Sequence, residues 1–192
     1  MPSAKEPLKY PRIGIVGRGE FGKLLATKFR NAHIEFHVGN DSDWSKLLHK
    51  VDLVVVATPT HTRYSIVKTC LASGTHVFCE KPLTENFQAT NELLSLASQN
   101  NLDLYIDTVF LLRNELLSIQ TDDIREIKLH WHKNDPNPAK DPVLHRLTFH
   151  DLYILSAIFQ IYSLTEIQCS RYTPNEIRLQ LIRPENPRHF LW

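Results

Sequence analysis

The sequence predicts an α/β fold, in which a doubly wound parallel sheet is followed by a small, truncated α+β domain. Three observations support this prediction. A G-x-G-x-x-G pattern separates an apolar run from an amphipathic helix pattern near the start of the chain. Short β-branched runs then alternate with helical patterns up to about residue 120. Beyond that point, apolar and polar residues alternate one by one. We therefore expect domains at 1–120 and 121–192.

Composition narrows the possible function classes. The chain has 192 residues, an apolar share of 42% and a formal net charge of +1, which argues against nucleic acid as a partner. No apolar run is long enough to cross a membrane, and the first ten residues show no signal-peptide core. The three widely spaced cysteines form no disulfide or metal pattern, so we predict a cytoplasmic protein with no metal site.

The first strand, turn and helix carry the most specific motif. Ile13, Ile15 and Val16 predict a buried strand that ends at a glycine turn. The three glycines of the turn are Gly17, Gly19 and Gly22. In a dinucleotide-binding Rossmann fold they allow a tight turn, close approach of a pyrophosphate, and close packing of helix on strand. The apolar face expected for the helix comprises Phe21, Leu24, Leu25 and Phe29.

The second strand, predicted over 34–38, should end where such folds bind the adenosine ribose. Asn40 and Asp41 follow it, and no Arg or Lys occurs before Lys46. Carboxylates here would repel a 2′-phosphate, which favours NAD over NADP as the cofactor, although NADP stays possible. Alternatively, these residues only cap a helix over 44–50.

The remaining elements of the first domain are expected to bring their strand ends together. Strands are predicted over 53–57, 76–79 and 102–106, and helices over 62–73, 86–100 and 109–119. The apolar face of the second of these helices should comprise Phe87, Leu93, Leu94 and Ala97. Ligands of such sheets bind beyond the carboxyl ends of the strands. The glycine turn, residues 58–60 and Glu80-Lys81 should therefore line one crevice.

The second domain is predicted to contain three strands and one helix. The strands fall over 127–131, 165–172 and 176–182, and the helix over 143–160. A sheet this small is a poor independent unit, so we expect a homodimer or larger assembly. The apolar ending Phe190-Leu191-Trp192 is predicted to dock on a surface.

Several stretches together resemble the glucose–fructose oxidoreductase/inositol dehydrogenase (Gfo/Idh/MocA) family. The matching stretches are RIGIVGRGEFG, VDLVVVATPTHTRYS, GTHVFCEKPLT and LYIDTVFLLRN, of which the strand running into Glu-Lys-Pro is the most specific. The resemblance is good over 11–114 and patchy beyond. It implies a nicotinamide cofactor and a small-molecule substrate, usually a sugar or polyol.

The resemblance also implies catalytic residues. Lys81 matches a lysine that contacts the reacting hydroxyl and the cofactor, and His150 resembles a histidine that exchanges a proton with the substrate. Arg146 stands where the family usually has aspartate, and we expect it to share a helix face with His150 and Tyr153. The substrate-binding residues are therefore predicted to be Arg146 and Tyr153, and the substrate to be possibly anionic. Arg63, where the family often has histidine, would add a cation near the crevice.

The resulting hypothesis is an NAD(P)-dependent oxidoreductase that transfers a hydride between nicotinamide and a hydroxyl or carbonyl carbon. The substrate would be a sugar, a polyol or an anionic hydroxy compound. The alternative is a non-catalytic dinucleotide-binding or regulatory module derived from the same family, and a third possibility is an interaction protein that keeps only the fold. The predicted cofactor-binding residues are Gly17, Arg18, Gly19, Glu20, Phe21, Gly22, Asn40, Asp41, Thr58, Pro59, Thr60, Glu80 and Lys81.

Overall fold

The computed structural model describes residues 11–29, 32–113, 149–159, 166–173 and 176–182. The chain divides into two compact units, Met1–Asp107 and Thr108–Trp192, and we describe each by itself. The domain boundary predicted near residue 120 lies outside the described residues.

A five-stranded parallel sheet forms the first unit, as the sequence predicts, and its strand order is β2-β1-β3-β4-β5. Its strands are β1 Arg12–Val16, β2 His33–Val38, β3 Leu53–Val56, β4 His76–Cys79 and β5 Leu104–Ile106. The helices are α1 Glu20–Lys28, α2 Thr60–Ala72 and α3 Phe87–Gln99. The helix predicted over 44–50 is a 3₁₀ helix, Trp44–Lys50.

Apolar side chains cover both faces of this sheet. Val54 and Val56 of β3 join a cluster that contains the inward residues of α2 and α3, whereas Val55 joins Ile13 and Ile15 beneath α1. All three valines of β3 are completely buried. Burial of each contributes about 1.5–3 kcal/mol, which explains why β3 is a continuous β-branched run.

The inward face of α1 differs from the sequence prediction. Phe21 and Leu24 are 42% and 47% exposed, while Leu25 and Phe29 pack on the sheet. Gly22 is the residue that fixes the rotation of the helix, because a Cβ there would collide with the carbonyl oxygen of Gly17. Gly22 must face the turn, and the positions that share its side of the helix are 25, 26 and 29.

The sequence prediction was also only half correct for the inward face of α3. Leu93 and Ala97 are buried as predicted, but Phe87 is 73% exposed and Leu94 is 44% exposed. α3 begins at an N-cap, Asn86, whose side chain accepts a hydrogen bond from the backbone N–H of Ala89 at 2.8 Å. The cap places Phe87 at the first helical position, where it points away from the sheet.

The second unit contains a 3₁₀ helix, Val109–Leu112, the helix α4, Phe149–Phe159, and an antiparallel strand pair. The pair consists of β6 Glu166–Thr173 and β7 Glu176–Ile182, close to the two last strands expected from the sequence. The strand predicted over 127–131, the helix residues 143–148 and the apolar ending at 190–192 lie outside the described residues.

Candidate functional site

The glycine turn between β1 and α1 is fixed by steric contacts of the backbone. Gly17 has a φ of +131°, and a Cβ there would collide with the carbonyl oxygen of Ala57 at the end of β3. Its N–H donates to the carbonyl oxygen of Val38 at 2.8 Å. The turn therefore touches both neighbouring strands, and no side chain fits at Gly17.

Gly19 has open space around it, in contrast to Gly17. It is the N-cap of α1 with an ordinary φ of −66°, and no atom lies within 4 Å of the position its Cβ would take. Because glycine has no side chain, α1 begins without a side-chain cap. The N–H groups of its first turn and the positive end of the helix dipole face this open space, which is the arrangement that binds phosphates.

His37 of β2 supports the turn, and the sequence analysis missed this role. Its Nε2 lies 2.8 Å from the carbonyl oxygen of Gly17, so the ring donates an Nε2–H hydrogen bond to the turn. Arg18 lies across the same strand end, where its Nε donates to the carbonyl oxygen of His37 at 3.3 Å. A histidine twenty residues from the turn gives no pattern that sequence periodicity could reveal.

Asn40 and Asp41, the predicted ribose-binding residues, are exposed in the turn that follows β2. The N-cap of the 3₁₀ helix is Asp43, whose side chain makes no cap hydrogen bond and instead pairs with Lys46. The carboxylate of Asp43 is thus partly neutralised by a lysine. Among the charged side chains predicted to bind the cofactor, Asp41 and Arg18 lie next to the end of β2.

Residues 58–60 and Arg63 connect the ends of β3 and β4. Thr58 is buried, and its hydroxyl accepts a hydrogen bond from the hydroxyl of Thr62 at 2.9 Å. The guanidinium of Arg63 donates to the carbonyl oxygens of Thr58 at 2.8 Å, of Glu80 at 3.0 Å and of Pro82. Arg63 is 7% exposed, so it braces the main chain on both sides of Lys81 from within the fold.

Glu80 and Lys81 follow β4 at the same edge, and Glu80 has an unusual environment. The pKa of Glu80 is raised to about 7, first by burial and then by the neighbouring carboxyl of Asp107, while the cations Arg63 and Lys81 oppose the rise. Cys79, the last residue of β4, is completely buried, and burial raises the pKa of its thiol to about 12. Cys79 is therefore a protonated packing residue and not a nucleophile.

Comparison with known proteins relates the greater part of the first unit to a known family. Residues 26–108 match the family model GFO_IDH_MocA, described as an oxidoreductase family with an NAD-binding Rossmann fold. The chain carries a Gfo/Idh/MocA NAD-binding domain. UDP-N-acetylglucosamine 3-dehydrogenase of Acidithiobacillus ferrooxidans is 27% identical over 112 residues, which are 50% of this chain and 36% of that protein.

Solved structures share the fold at lower identity. An NAD-binding oxidoreductase from Klebsiella pneumoniae is 18% identical with a TM-score of 0.64, over 91% of this chain and 61% of that one. Scyllo-inositol dehydrogenase from Lactobacillus casei, solved with NAD(H) and scyllo-inositol, is 21% identical with a TM-score of 0.51, over 57% and 39%. This chain spans only 15%, 23% and 36% of three curated relatives that it matches.

The residues at the edge fit the cofactor of the Gfo/Idh/MocA domain. The open space at Gly19, next to the uncapped start of α1, suits a pyrophosphate. All four groups of predicted cofactor-binding residues follow parallel strands of one sheet. The groups are the glycine turn after β1, Asn40 and Asp41 after β2, residues 58–60 after β3, and Glu80-Lys81 after β4.

The predicted residues of the second unit form a small polar and aromatic cluster on α4. Nδ1 of His150 lies 3.0 Å from the hydroxyl of Tyr153, and the His150 ring packs edge-to-face on Phe110 with 4.9 Å between centroids. His150 and Tyr153 are both partly buried. Arg146, predicted on the same helix face, lies outside the described residues.

Neither a metal-binding group nor a membrane-spanning helix occurs among the residues that the structure describes. Within them, no group of three or more His, Cys, Asp or Glu side chains could hold a metal ion. None of the described helices is long and apolar enough to cross a membrane.

Proposed function

We propose that this chain acts as an NAD(P)-dependent oxidoreductase on a CH–OH group or the corresponding carbonyl. The substrate class would be a sugar, a polyol or an anionic hydroxy compound. The nicotinamide, when bound, accepts or donates the hydride. The observation that supports the proposal best is that Glu80-Lys81 and the glycine turn lie at the same edge of one parallel sheet.

Lys81 is proposed to polarise the reacting oxygen. An ammonium stabilises the negative charge that develops on a carbonyl oxygen when a hydride is added to carbon, and it acts in the reverse direction on an alkoxide. Such a group has to be held in place. Arg63 binds the carbonyl oxygens on both sides of Lys81, those of Glu80 and Pro82, and thereby restrains the backbone that carries the ammonium.

His150 is proposed to exchange the proton of the substrate hydroxyl, because the charge of imidazole changes near neutral pH. The hydroxyl of Tyr153 lies 3.0 Å from Nδ1 of His150, and this contact restrains the orientation of the ring. Arg146 is proposed to bind an anionic group of the substrate, because a guanidinium forms paired hydrogen bonds with carboxylates and phosphates.

The turnover rate of the Lys81→Ala variant tests the proposed function directly. We expect kcat to fall about 10²–10³-fold while the Kd for NAD and NADH changes less than about threefold, because the ammonium acts mainly in the transition state. His150→Ala should lower kcat about 10²–10⁴-fold. The assay follows reduced nicotinamide absorbance with panels of hydroxy acids, sugar phosphates, free sugars and polyols.

The matched control is Lys68→Ala, which removes an exposed lysine of α2 that pairs with Glu92. It should leave kcat and cofactor affinity unchanged. If the cofactor binds and no panel shows turnover, the catalytic proposal fails and the non-catalytic binding module is correct. If no nicotinamide cofactor binds at millimolar concentration, both fail. Turnover of neutral sugars alone would overturn the proposed role of Arg146.

The cofactor preference is proposed to be NAD, with Arg18 as the residue that decides its extent. Asp41 disfavours a 2′-phosphate, whereas Arg18 lies across the end of β2 and can reach one. Arg18→Ala should weaken NADP binding about tenfold more than NAD binding, an amount typical of one lost charge-assisted contact. Equal loss for both cofactors would mean that Arg18 does not contact the 2′ position.

A homodimer or larger assembly stays a prediction, and sedimentation at micromolar concentration tests it. A monomer at all concentrations would contradict it.

A further inference from the structure

Two carboxyl side chains lie side by side at the ends of β4 and β5. The strands pair in parallel with Cys79 opposite Ile106, which places the next residues, Glu80 and Asp107, together at the edge of the sheet. The N–H of Asp107 donates to the carbonyl oxygen of Cys79 at 2.8 Å. The side chain of Asp107 lies within hydrogen-bonding reach of the Glu80 carboxyl. We call these two residues the carboxyl pair.

The carboxyl pair needs a proton to be stable. Oε1 of Glu80 is buried, and it finds no hydrogen-bond partner among the described residues. Ionised carboxylates accept hydrogen bonds and donate none, so two of them in contact repel each other. A bond between Glu80 and Asp107 exists only when one of them carries a proton, which would then lie between two acceptors.

The charged and titratable groups around Glu80 come from β5, from α2, and from β4 with the loop that follows it. Asp107 at the end of β5 disfavours its ionisation, whereas Arg63 of α2 and Lys81 after β4 favour it. Cys79 at the end of β4 is buried and protonated. Burial is the largest influence on Glu80, and together with Asp107 it outweighs the two nearby cations, so the pKa of Glu80 is raised.

The strand order places the carboxyl pair on the nicotinamide side of the edge. In a Rossmann fold the pyrophosphate binds at the turn after β1, and the adenosine ribose binds at the end of β2. Here β2 lies on one side of β1, and β3, β4 and β5 lie on the other. The second nucleoside therefore extends toward the ends of β3, β4 and β5, where the carboxyl pair lies.

We propose that Glu80 and Asp107 share one proton in the free protein, and that binding of oxidised nicotinamide expels this proton to solvent. The oxidised ring carries a positive charge, which favours a doubly ionised pair, whereas the reduced ring is neutral. The pair is thereby a positioning and selectivity element that makes affinity for the oxidised cofactor depend on pH. This inference rests on the cofactor site proposed above.

The size of the effect follows from proton linkage. A pair that loses its proton near pH 7 is about tenfold more ionised at pH 8 than at pH 6, so the Kd for the oxidised cofactor should fall about tenfold over that interval. The Kd for the reduced cofactor should stay within about twofold. Glu80→Gln, which keeps the shape of the side chain and cannot ionise, should abolish the difference.

Infrared spectroscopy of the full chain tests the shared proton without any cofactor. We expect the carbonyl band of a protonated carboxyl at pH 6, its loss between pH 6 and 8, and its absence in Glu80→Gln. In Asp107→Asn, where burial still acts on Glu80, the band should be lost at a lower pH than in the wild type. Glu85→Gln, which alters an exposed glutamate five residues further on, should keep the wild-type band. A wild-type protein without the band, a band that persists in Glu80→Gln, or an Asp107→Asn band lost at the same pH as in the wild type would overturn the shared proton.

Calorimetry tests the link to the cofactor. Titration of NAD and NADH at pH 6.5, in two buffers of different ionisation enthalpy, reports proton release directly. Release on binding NAD, none on binding NADH, less in Asp107→Asn and none in Glu80→Gln would support the proposal. Equal release with both cofactors, or none with either although both bind, would overturn the link. If neither NAD nor NADH binds, the proposed cofactor site is refuted instead. The infrared test of the shared proton is independent of that outcome.

Discussion

The glycine turn after β1 and the Glu80-Lys81 loop after β4 lie at the same edge of one sheet, but they are held in different ways. The turn keeps its shape because Gly17 and Gly22 have no side chain. A Cβ at either position would collide with neighbouring backbone. The loop after β4 keeps its shape because a buried guanidinium binds its carbonyl oxygens, with a carboxyl pair beside it.

This difference separates two tasks at one edge. The glycines of the turn leave its N–H groups accessible to a phosphate, and glycine itself has no group that titrates. The loop after β4 presents the ammonium of Lys81 and the carboxyl of Glu80, whose pKa is raised by its surroundings. The two regions should therefore respond to different perturbations: the turn to added volume, and the loop to lost hydrogen bonds and to pH.

The largest effect is expected for Arg63→Ala, which removes the brace of the loop after β4. The variant leaves the carbonyl oxygens of Thr58, Glu80 and Pro82 without their donor inside the fold. We expect the free energy of unfolding to fall by about 3–4 kcal/mol in urea titrations. Arg12→Ala breaks an exposed ion pair with Asp52 and should have a much smaller effect. Similar losses in both variants would mean that burial of Arg63 is not what matters.

The next effect is expected for Gly17→Ala in the turn. Alanine meets both an unfavourable φ and the carbonyl oxygen of Ala57, so the free energy of unfolding should fall by about 2–3 kcal/mol. Gly74→Ala is the matched control. Gly74 also has a positive φ, +77°, but it lies at the opposite edge of the sheet with open space around it. That variant should lose about 1 kcal/mol and keep its cofactor affinity.

The turn could be predicted from sequence because the residues that determine it are local. Glycines at fixed spacing between a β-branched run and a helix pattern leave few alternatives, and the alternation of strands with helices predicts the parallel sheet of the first unit. The Glu-Lys-Pro motif locates the loop after β4 in the sequence, but the environment of this loop could not be predicted from the sequence. Arg63 was expected to add a cation near the crevice, yet it is buried and hydrogen-bonded to main chain. Its partners at Glu80 and Pro82 are seventeen and nineteen residues away.

The inward faces of the helices could likewise not be predicted from local sequence patterns. A period of 3.6 residues identifies a helix, but it does not say which of two adjacent apolar stripes faces the sheet. In α1 the contact between Gly22 and Gly17 decides, and it turns Phe21 and Leu24 outward. The carboxyl pair is invisible for a similar reason, because it forms only when β4 and β5 lie side by side in register.

A smaller effect is expected from pH, and Glu80 in the loop after β4 should contribute to it. The pKa of Glu80 rises from 4.5 to about 7 on folding, so the native state binds the extra proton between those values. Its contribution to stability is complete below pH 4.5 and is lost as the pH rises through 7. Allowing for partial exposure to solvent, we expect a loss of about 1–2 kcal/mol between pH 4.5 and 7.5, relative to Glu80→Gln.

Urea titrations of the wild type and of Glu80→Gln across this pH range measure the difference. Glu85→Gln, at an exposed position, should follow the wild type. A wild-type curve that runs parallel to that of Glu80→Gln would contradict the elevated pKa.

The smallest effect on stability, and the most specific one for binding, is expected for Gly19→Ala. Its φ of −66° suits alanine, and the new methyl group meets no protein atom within 4 Å, so the free energy of unfolding should change by less than about 0.5 kcal/mol. The same methyl group would occupy the space that the pyrophosphate needs, so the Kd for NAD should rise at least about tenfold. Urea titration and calorimetry on one preparation measure both quantities. Unchanged affinity in a stable Gly19→Ala protein would show that the cofactor does not approach this turn, whereas Gly17→Ala cannot decide this because it also weakens the fold.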